Sequence, residues 1–205
     1  MLPQFTWTGA FVGASAGGIW SKHVVVQLNG IAPPFVPGFA HILRGKGIVG
    51  GVHFGYNVQL SNFVFGLEAE ASATSASARF AYPSSFGPLL ARHSSSLRSF
   101  FAVRGRVGLA IQRILPYVTG GVVLANVRNS VVDPNRPVSI NRGDSALGWA
   151  LGAGLEYAIT KKWSARVEYI YMKFPSVTRM DPVTGYSFRF FDSANLVRAG
   201  LNFHF

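Results

Sequence analysis

The last stretch of the chain alternates without a break from Val197 onward. Val197, Ala199, Leu201, Phe203 and Phe205 are apolar, and Arg198, Gly200, Asn202 and His204 fall between them. A period of two puts the two sets on opposite faces of a strand. The same alternation recurs upstream. Ile48, Val52, Phe54, Tyr56 and Val58 oppose Gly51, His53, Gly55, Asn57 and Gln59. Phe63, Phe65, Leu67, Ala69 and Ala71 oppose Gly66, Glu68, Glu70 and Ser72, and Phe101, Val103, Val107 and Leu109 oppose Arg104, Arg106 and Gly108. Leu147, Trp149, Leu151, Ala153, Leu155 and Tyr157 oppose Gly148, Ala150, Gly152, Gly154 and Glu156, and Trp163, Ala165, Val167, Tyr169 and Tyr171 oppose Arg166, Glu168 and Ile170.

These segments predict eight strands, over residues 7–20, 47–59, 63–74, 97–110, 115–127, 145–158, 163–174 and 194–205. The first and fifth have two mild faces, which leaves their facing open. Connections alternate in length. Long, Pro- and Ser-bearing loops are expected at 21–46, 75–96, 128–143 and 175–193, and short turns at 60–62, 111–114 and 159–162. A terminal strand with one greasy face would invite edge pairing in a soluble domain. Closing a barrel in a membrane gives both face and edge a partner. The expected fold is therefore all-β: one domain over residues 1–205, an eight-stranded antiparallel up-and-down transmembrane β-barrel with four long extracellular loops and short periplasmic turns. Aromatics near the strand ends are expected to form headgroup belts: Trp7, Tyr56, Phe63, Tyr117, Tyr157, Trp163 and Phe205 at one end, and Trp20, Phe100, Tyr171 and Phe174 at the other.

Composition narrows the class. The chain is 49% hydrophobic and 13% charged, yet its apolar segments are interrupted by glycine, so no clean run suits a membrane helix. A soluble barrel should carry lysine, threonine and glutamate outside, whereas the polar face here is mostly glycine, alanine, serine and a few charges, which suits a crowded interior. There is no cysteine, hence no disulfide framework and no thiolate metal site. No charged and apolar leader precedes Trp7, so an exported chain is expected to have lost its signal peptide.

The net charge of +11 raises nucleic acid as a partner, but its distribution argues against one. All five lysines fall in proposed loops, turns or strand ends, the four aspartates in or beside long loops, and the four glutamates inside strands. No basic helix or aromatic–basic sheet motif accompanies the charge. Basic loop residues, Arg44, Lys46, Arg79, Arg128, Arg142, Lys173 and Arg189 among them, are expected to form either a solvated rim or a surface that faces lipopolysaccharide phosphates at headgroup level.

The opening Phe5-Thr6-Trp7-Thr8-Gly9-Ala10-Phe11-Val12-Gly13, the glycine-spaced second strand and the closing Phe205 resemble the small "porin family" outer-membrane proteins of alphaproteobacteria, which belong to the OmpA-like transmembrane barrels. The resemblance spans the chain. It implies a bacterial outer-membrane location and a terminal aromatic signal, Phe203 and Phe205, read by the barrel assembly machinery. It also implies a monomeric or weakly associated surface barrel and brings no catalytic residues with it; contact with outer-membrane lipid and with other envelope proteins is a further expectation.

Candidate chemistry lies inside the barrel. Glu68, Glu70, Arg104, Arg106, Arg166, Glu168 and Arg198 are expected at similar depth, with Glu–Arg pairs across the seams of strands three and four and of strands seven and eight. An eight-stranded barrel is just wide enough for side chains to fill. The leading expectation is a salt-bridged plug in a structural, surface-exposed barrel that serves envelope integrity. The alternatives are a low-conductance channel gated by the same charges, and loop-mediated ligand or host adhesion. His53 and His204 should face inward on separate strands, and His23, His41 and His93 lie on separate loops, so no metal site or cofactor is expected. Ser94 beside His93 is the nearest serine–histidine pair, but no acid is placed to orient the histidine, and the protein is not expected to be an enzyme.

Overall fold

A computed structural model describes residues 5–27, 40–83, 90–133, 138–180 and 187–205. Its strands are β1 (Gly9–Gln27), β2 (Ala40–Leu60), β3 (Phe63–Thr74), β4 (Ser77–Pro83), β5 (Leu90–Leu109), β6 (Ile114–Asp133), β7 (Val138–Ala158), β8 (Trp163–Lys173), β9 (Val177–Met180) and β10 (Ser187–His204). Each neighbouring pair is antiparallel, and β1 pairs with both β2 and β10, so the sheet closes into a barrel. Two segments continue earlier strands rather than adding to the wall. β4 extends β3, and β9 extends β8 beyond Pro175, which has no N–H to donate to a ladder. At the β3–β4 break the Ser75 N–H donates to the Ile48 carbonyl (3.0 Å), while β5 shifts register between Leu97 and Ser99. The wall is thus an eight-stranded antiparallel barrel.

Its shear follows from the pairing. One row runs from Trp163 through Phe203, Val12, Phe54, Ala69, Val103, Val122 and Trp149 to Lys173, returning to β8 ten residues from its start. Ten residues of rise around a circumference of eight strands tilts the strands by about 40°. This row is outward and largely apolar, as a lipid-facing wall requires. The structure also settles the two open facings. Phe11, Ser15, Ile19 and Ser21 of β1 point inward, as do Leu115, Tyr117, Thr119, Val123 and Ala125 of β6.

Strand ends beside the short turns fall within two residues of those read from sequence. At the other end β3 and β8 also stop within one residue of the reading, but the remaining strands do not. β1, β2, β5, β6, β7 and β10 run six or seven residues further into the segments expected to be loops, carrying Lys22, Lys46, Asp133, Asp144 and Asp192 into strands. Beyond the hydrocarbon both faces of a strand can meet water, so the alternation fades while the backbone ladder persists. The short turns are tight: Ser61 and Gln112 adopt left-handed backbone (φ 55° each), and the Thr160 hydroxyl accepts from the Trp163 N–H at 3.0 Å.

The interior is stratified. Toward the long hairpins an apolar layer of Ile19, Phe100, Ile170, Met172, Phe174 and Leu196 fills the lumen. At the turn end Trp7, Val64, Leu115, Tyr117 and Ala158 form a second apolar cluster, with Phe5 packed against it. Four aromatics expected in the outer belts, Trp7, Phe100, Tyr117 and Phe174, are therefore inside. Depth along the strand was legible, but parity decides the face, and for Trp7 the chain before β1 tucks under the barrel, its N–H donating to Gln59 Oε1 (2.9 Å). Tyr56, Phe63, Tyr157, Trp163, Phe205 and Trp20 do face outward.

Candidate functional site

Between the apolar layers lies an ion network. Antiparallel register sets Glu68 opposite Arg104 and Glu168 opposite Arg198, so these pairs cross the β3–β5 and β8–β10 seams. Arg104 Nη2 donates to Glu68 Oε1 at 2.6 Å and to Glu70 Oε2 at 3.0 Å. The remaining bonds span the lumen: Arg104 Nη1 to Glu168 Oε1 (3.1 Å), Arg166 Nη1 to Glu68 Oε2 (2.5 Å), and Arg198 to Glu70. Arg198 Nη2 also donates to Glu168 Oε2 at 2.7 Å. Three guanidinium groups and three carboxylates are thereby shared in one layer, and none of the six residues is more than 5% exposed. Ions so buried are tolerable only when each has partners.

Arg106 departs from the expected layer. It sits two residues beyond Arg104 on the same face of β5, toward the turns, and there its Nη1 donates to Glu156 Oε2 (3.0 Å) and its Nε to Asn57 Oδ1 (2.9 Å). Its guanidinium stacks over Phe11 (4.4 Å) and Tyr117 (5.4 Å), a cation–π arrangement. Glu156, which sequence reasoning put on the inward face of its strand but not in the cluster, is the hub of this lower group. It accepts from Ser164 Oγ (2.5 Å) and Asn202 Nδ2 (2.6 Å), and Asn202 Oδ1 lies 2.6 Å from His53 Nε2. The inward alternation of β7 was the available signal for Glu156. Nothing in the sequence signalled that it would meet Arg106 across the lumen.

Ser164, His204 and Glu156 make a serine–histidine–acid cluster that sequence reasoning missed. His204 Nε2 lies 2.9 Å from Ser164 Oγ and 3.4 Å from Glu156 Oε1. The geometry does not suit a nucleophile relay. The acid bonds the serine directly and approaches the same imidazole nitrogen, whereas an orienting acid should hold the other one. Ser164 and Glu156 are also fully buried. His93 and Ser94 lie on β5 and pair by backbone with β4 and β6, but their side chains lie outside the described residues, as do those of His23 and His41. Among the described residues no group of three metal-ligating side chains gathers.

The closing aromatics sit on the outer wall at the turn end. The rings of Phe203 and Phe205 meet edge to face at 5.2 Å, Phe203 meets Trp163 at 5.3 Å, and the Phe205 N–H donates to the Ala10 carbonyl (3.1 Å). Of the basic residues expected at headgroup level, Arg44, Lys46 and Lys173 are exposed. The side chains of Arg79, Arg128, Arg142 and Arg189 lie outside the described residues.

Comparison with known proteins agrees with this architecture. A family model described as "Outer membrane protein beta-barrel domain" matches residues 3–205. The 31 kDa outer-membrane immunogenic protein of Brucella melitensis is 32% identical over 221 residues, covering 100% of this chain and 86% of that protein. The 25 kDa outer-membrane immunogenic protein of Brucella abortus is 24% identical, covering 85% of this chain and 68% of that protein. Among solved structures, the outer membrane protein OprG of Pseudomonas aeruginosa superposes with a TM-score of 0.57 at 12% identity, covering 98% of this chain and 99% of that one. The outer membrane protease OmpT of Escherichia coli superposes with a TM-score of 0.54 at 12% identity, covering 98% of each chain. At such identities the structural likeness concerns the fold alone.

Proposed function

The chain belongs to the outer membrane protein beta-barrel domain family, and from that premise we propose that it is a closed structural barrel of the outer membrane, serving envelope integrity rather than transport or catalysis. The observation that carries this reading is the sealed ion network. Six ions in the main layer, with Arg106 and Glu156 below, are held between an apolar layer on one side and the Trp7–Tyr117 cluster on the other. An ion crossing the lumen would have to displace both apolar layers and compete with partners already in place. The closed Ser164–His204–Glu156 group supports a non-enzymatic reading on the same ground, because no substrate bond can reach it without unpacking the turn-end cluster.

A channel gated by these charges is the second reading. It is favoured by buried donors that lack a partner among the described residues, Arg104 Nε, Arg166 Nε and Arg106 Nη2, which leave the network bonds to gain in another arrangement. Single-channel recording of the purified protein in a planar bilayer separates the two. The closed barrel is expected to give no steps above leak in a neutral electrolyte. Steady steps that change on Arg104→Gln would overturn it in favour of the gate.

A further inference from the structure

Outside the barrel, β8, β1 and β2 bring basic residues together along one row that also crosses β10. Lys173 of β8 pairs with Ser193 of β10, Ser193 with Lys22 of β1, and Lys22 with Arg44 of β2. The next row toward the turns runs Tyr171, Asn195, Trp20 and Lys46. Both rows share the outward parity of their strands, and Lys22, Arg44, Lys46 and Lys173 are exposed. Directly opposed residues of an antiparallel ladder lie about 5 Å apart and diagonal ones about 7–8 Å. Lys22, Arg44 and Lys46 therefore form one patch the width of a single anionic headgroup.

Two further features fix what that patch would meet. The aromatic row lies immediately beneath Lys22 and Arg44 and includes Lys46: Trp20 is half exposed, Tyr171 packs edge to face on Trp149 at 5.7 Å, and the Tyr169 hydroxyl donates to Asn195 Oδ1 (2.7 Å). Outward tryptophan and tyrosine mark headgroup depth, and below them Ile48, Val197 and Tyr169 continue as lipid-facing wall. Lys22, Arg44 and Lys173 thus sit one residue pair beyond the ring belt, at the depth of phosphates, and Lys46 lies level with Trp20 beside them. Charge is also unopposed there by glutamate, since all four glutamates are inside the lumen. Across the β5–β6 and β6–β7 seams a polar row is instead bonded to itself, with exposed Arg98 at the bulge beside it: Ser145 Oγ donates to Asn126 Oδ1 (3.0 Å), and Asn126 Nδ2 donates to Ser99 Oγ (3.2 Å).

We propose that Lys22, Arg44 and Lys46, with Lys173 at the edge, form a binding site on the β1–β2 outer wall for the phosphorylated headgroup of an outer-leaflet glycolipid. Arg44 supplies a planar fork suited to two phosphate oxygens, Lys22 and Lys46 supply point charges on either side, and Trp20 packs along the glycolipid at the glycan–acyl boundary. The site depends on membrane insertion but not on whether the lumen is closed or gated, so its test is independent of the conductance measurement.

The test is binding of a bisphosphorylated acyl-glucosamine disaccharide, and of its dephosphorylated form, to the full-length protein in neutral detergent. Three proteins are compared: the unaltered chain, a triple variant Lys22→Gln/Arg44→Gln/Lys46→Gln, and a charge-matched control Arg98→Gln/Lys161→Gln/Lys162→Gln. Each surface cation near an anionic headgroup is worth about fivefold in binding, so the triple variant is expected to lose roughly a hundredfold. The control should stay within about twofold, and the dephosphorylated lipid should bind the unaltered protein weakly. Equal losses in variant and control would mean diffuse charge and overturn the site. So would an undiminished triple variant, or a protein indifferent to the phosphates. Should the triple variant fail to fold, Lys46→Glu alone carries the same test, with retained affinity as the overturning result.

Discussion

Arg104→Ala is expected to remove about 3–5 kcal/mol of stability, the range for breaking a buried ion pair by deleting one partner. Arg104 hydrogen-bonds all three carboxylates of the main layer, Glu68, Glu70 and Glu168, whereas Arg198 bonds Glu70 and Glu168 and reaches Glu68 only at 4.0 Å. Loss of Arg104 leaves three carboxylates facing Arg166 and Arg198 in a space that neighbouring apolar side chains seal from water. The cost is therefore mainly the burial of an uncompensated charge rather than the absence of two or three hydrogen bonds. A second substitution tests that cause. Arg104→Ala combined with Glu70→Gln restores equal numbers of opposite charges and should recover at least about 1 kcal/mol, a coupling typical of residues in one ionic network. The readout is the urea midpoint of the shift between compact and unfolded forms of the detergent-refolded protein on unheated gels. A single variant within about 1 kcal/mol of the unaltered protein would show that the layer is hydrated and not a sealed plug.

Gly17→Val is expected to abolish closure of the barrel, leaving little compact protein after refolding. Gly17 faces Arg198 across the β1–β10 seam, the pairing that joins the two ends of the chain. A Cβ on Gly17 would run into the Val197 carbonyl and the Arg198 backbone, neither of which can move without opening the ladder. The neighbouring Ala16→Val is the control, because its side chain points outward to the lipid and should leave refolding unchanged. Both are read as the fraction of heat-modifiable protein after dilution into detergent. Normal refolding of Gly17→Val would mean that the seam is looser than its register implies.

Most of the wall was legible in the chain because the bilayer and the packed lumen demand opposite residue types at successive positions. Where that contrast is strong, as at Phe63–Thr74, strand bounds and facing both follow from alternation. Where it weakens, legibility goes with it. β1 and β6 are small or apolar on both faces, because the inward residues Ile19, Leu115 and Val123 belong to the apolar layers and not to a polar lumen. The strand extensions beyond the membrane read as loops for the related reason that neither face there is constrained. The inward positions of Glu68, Glu70, Arg104, Arg106, Arg166, Glu168 and Arg198 were legible as well, each by its parity.

By itself, then, the sequence determined an alternating outer-membrane barrel, its inward charges and its closing aromatics, because period and parity are local properties of a strand. Only the tertiary structure decided which charge meets which. A ten-residue shear brings Arg166 to Glu68 and Arg198 to Glu70 across the lumen, and drops Arg106 to Glu156, far from any sequence neighbour. The same register gathers Lys22, Arg44 and Lys46 around Trp20 on the outer wall. Register around a closed sheet is a sum over every seam, and no single segment of the chain contains it.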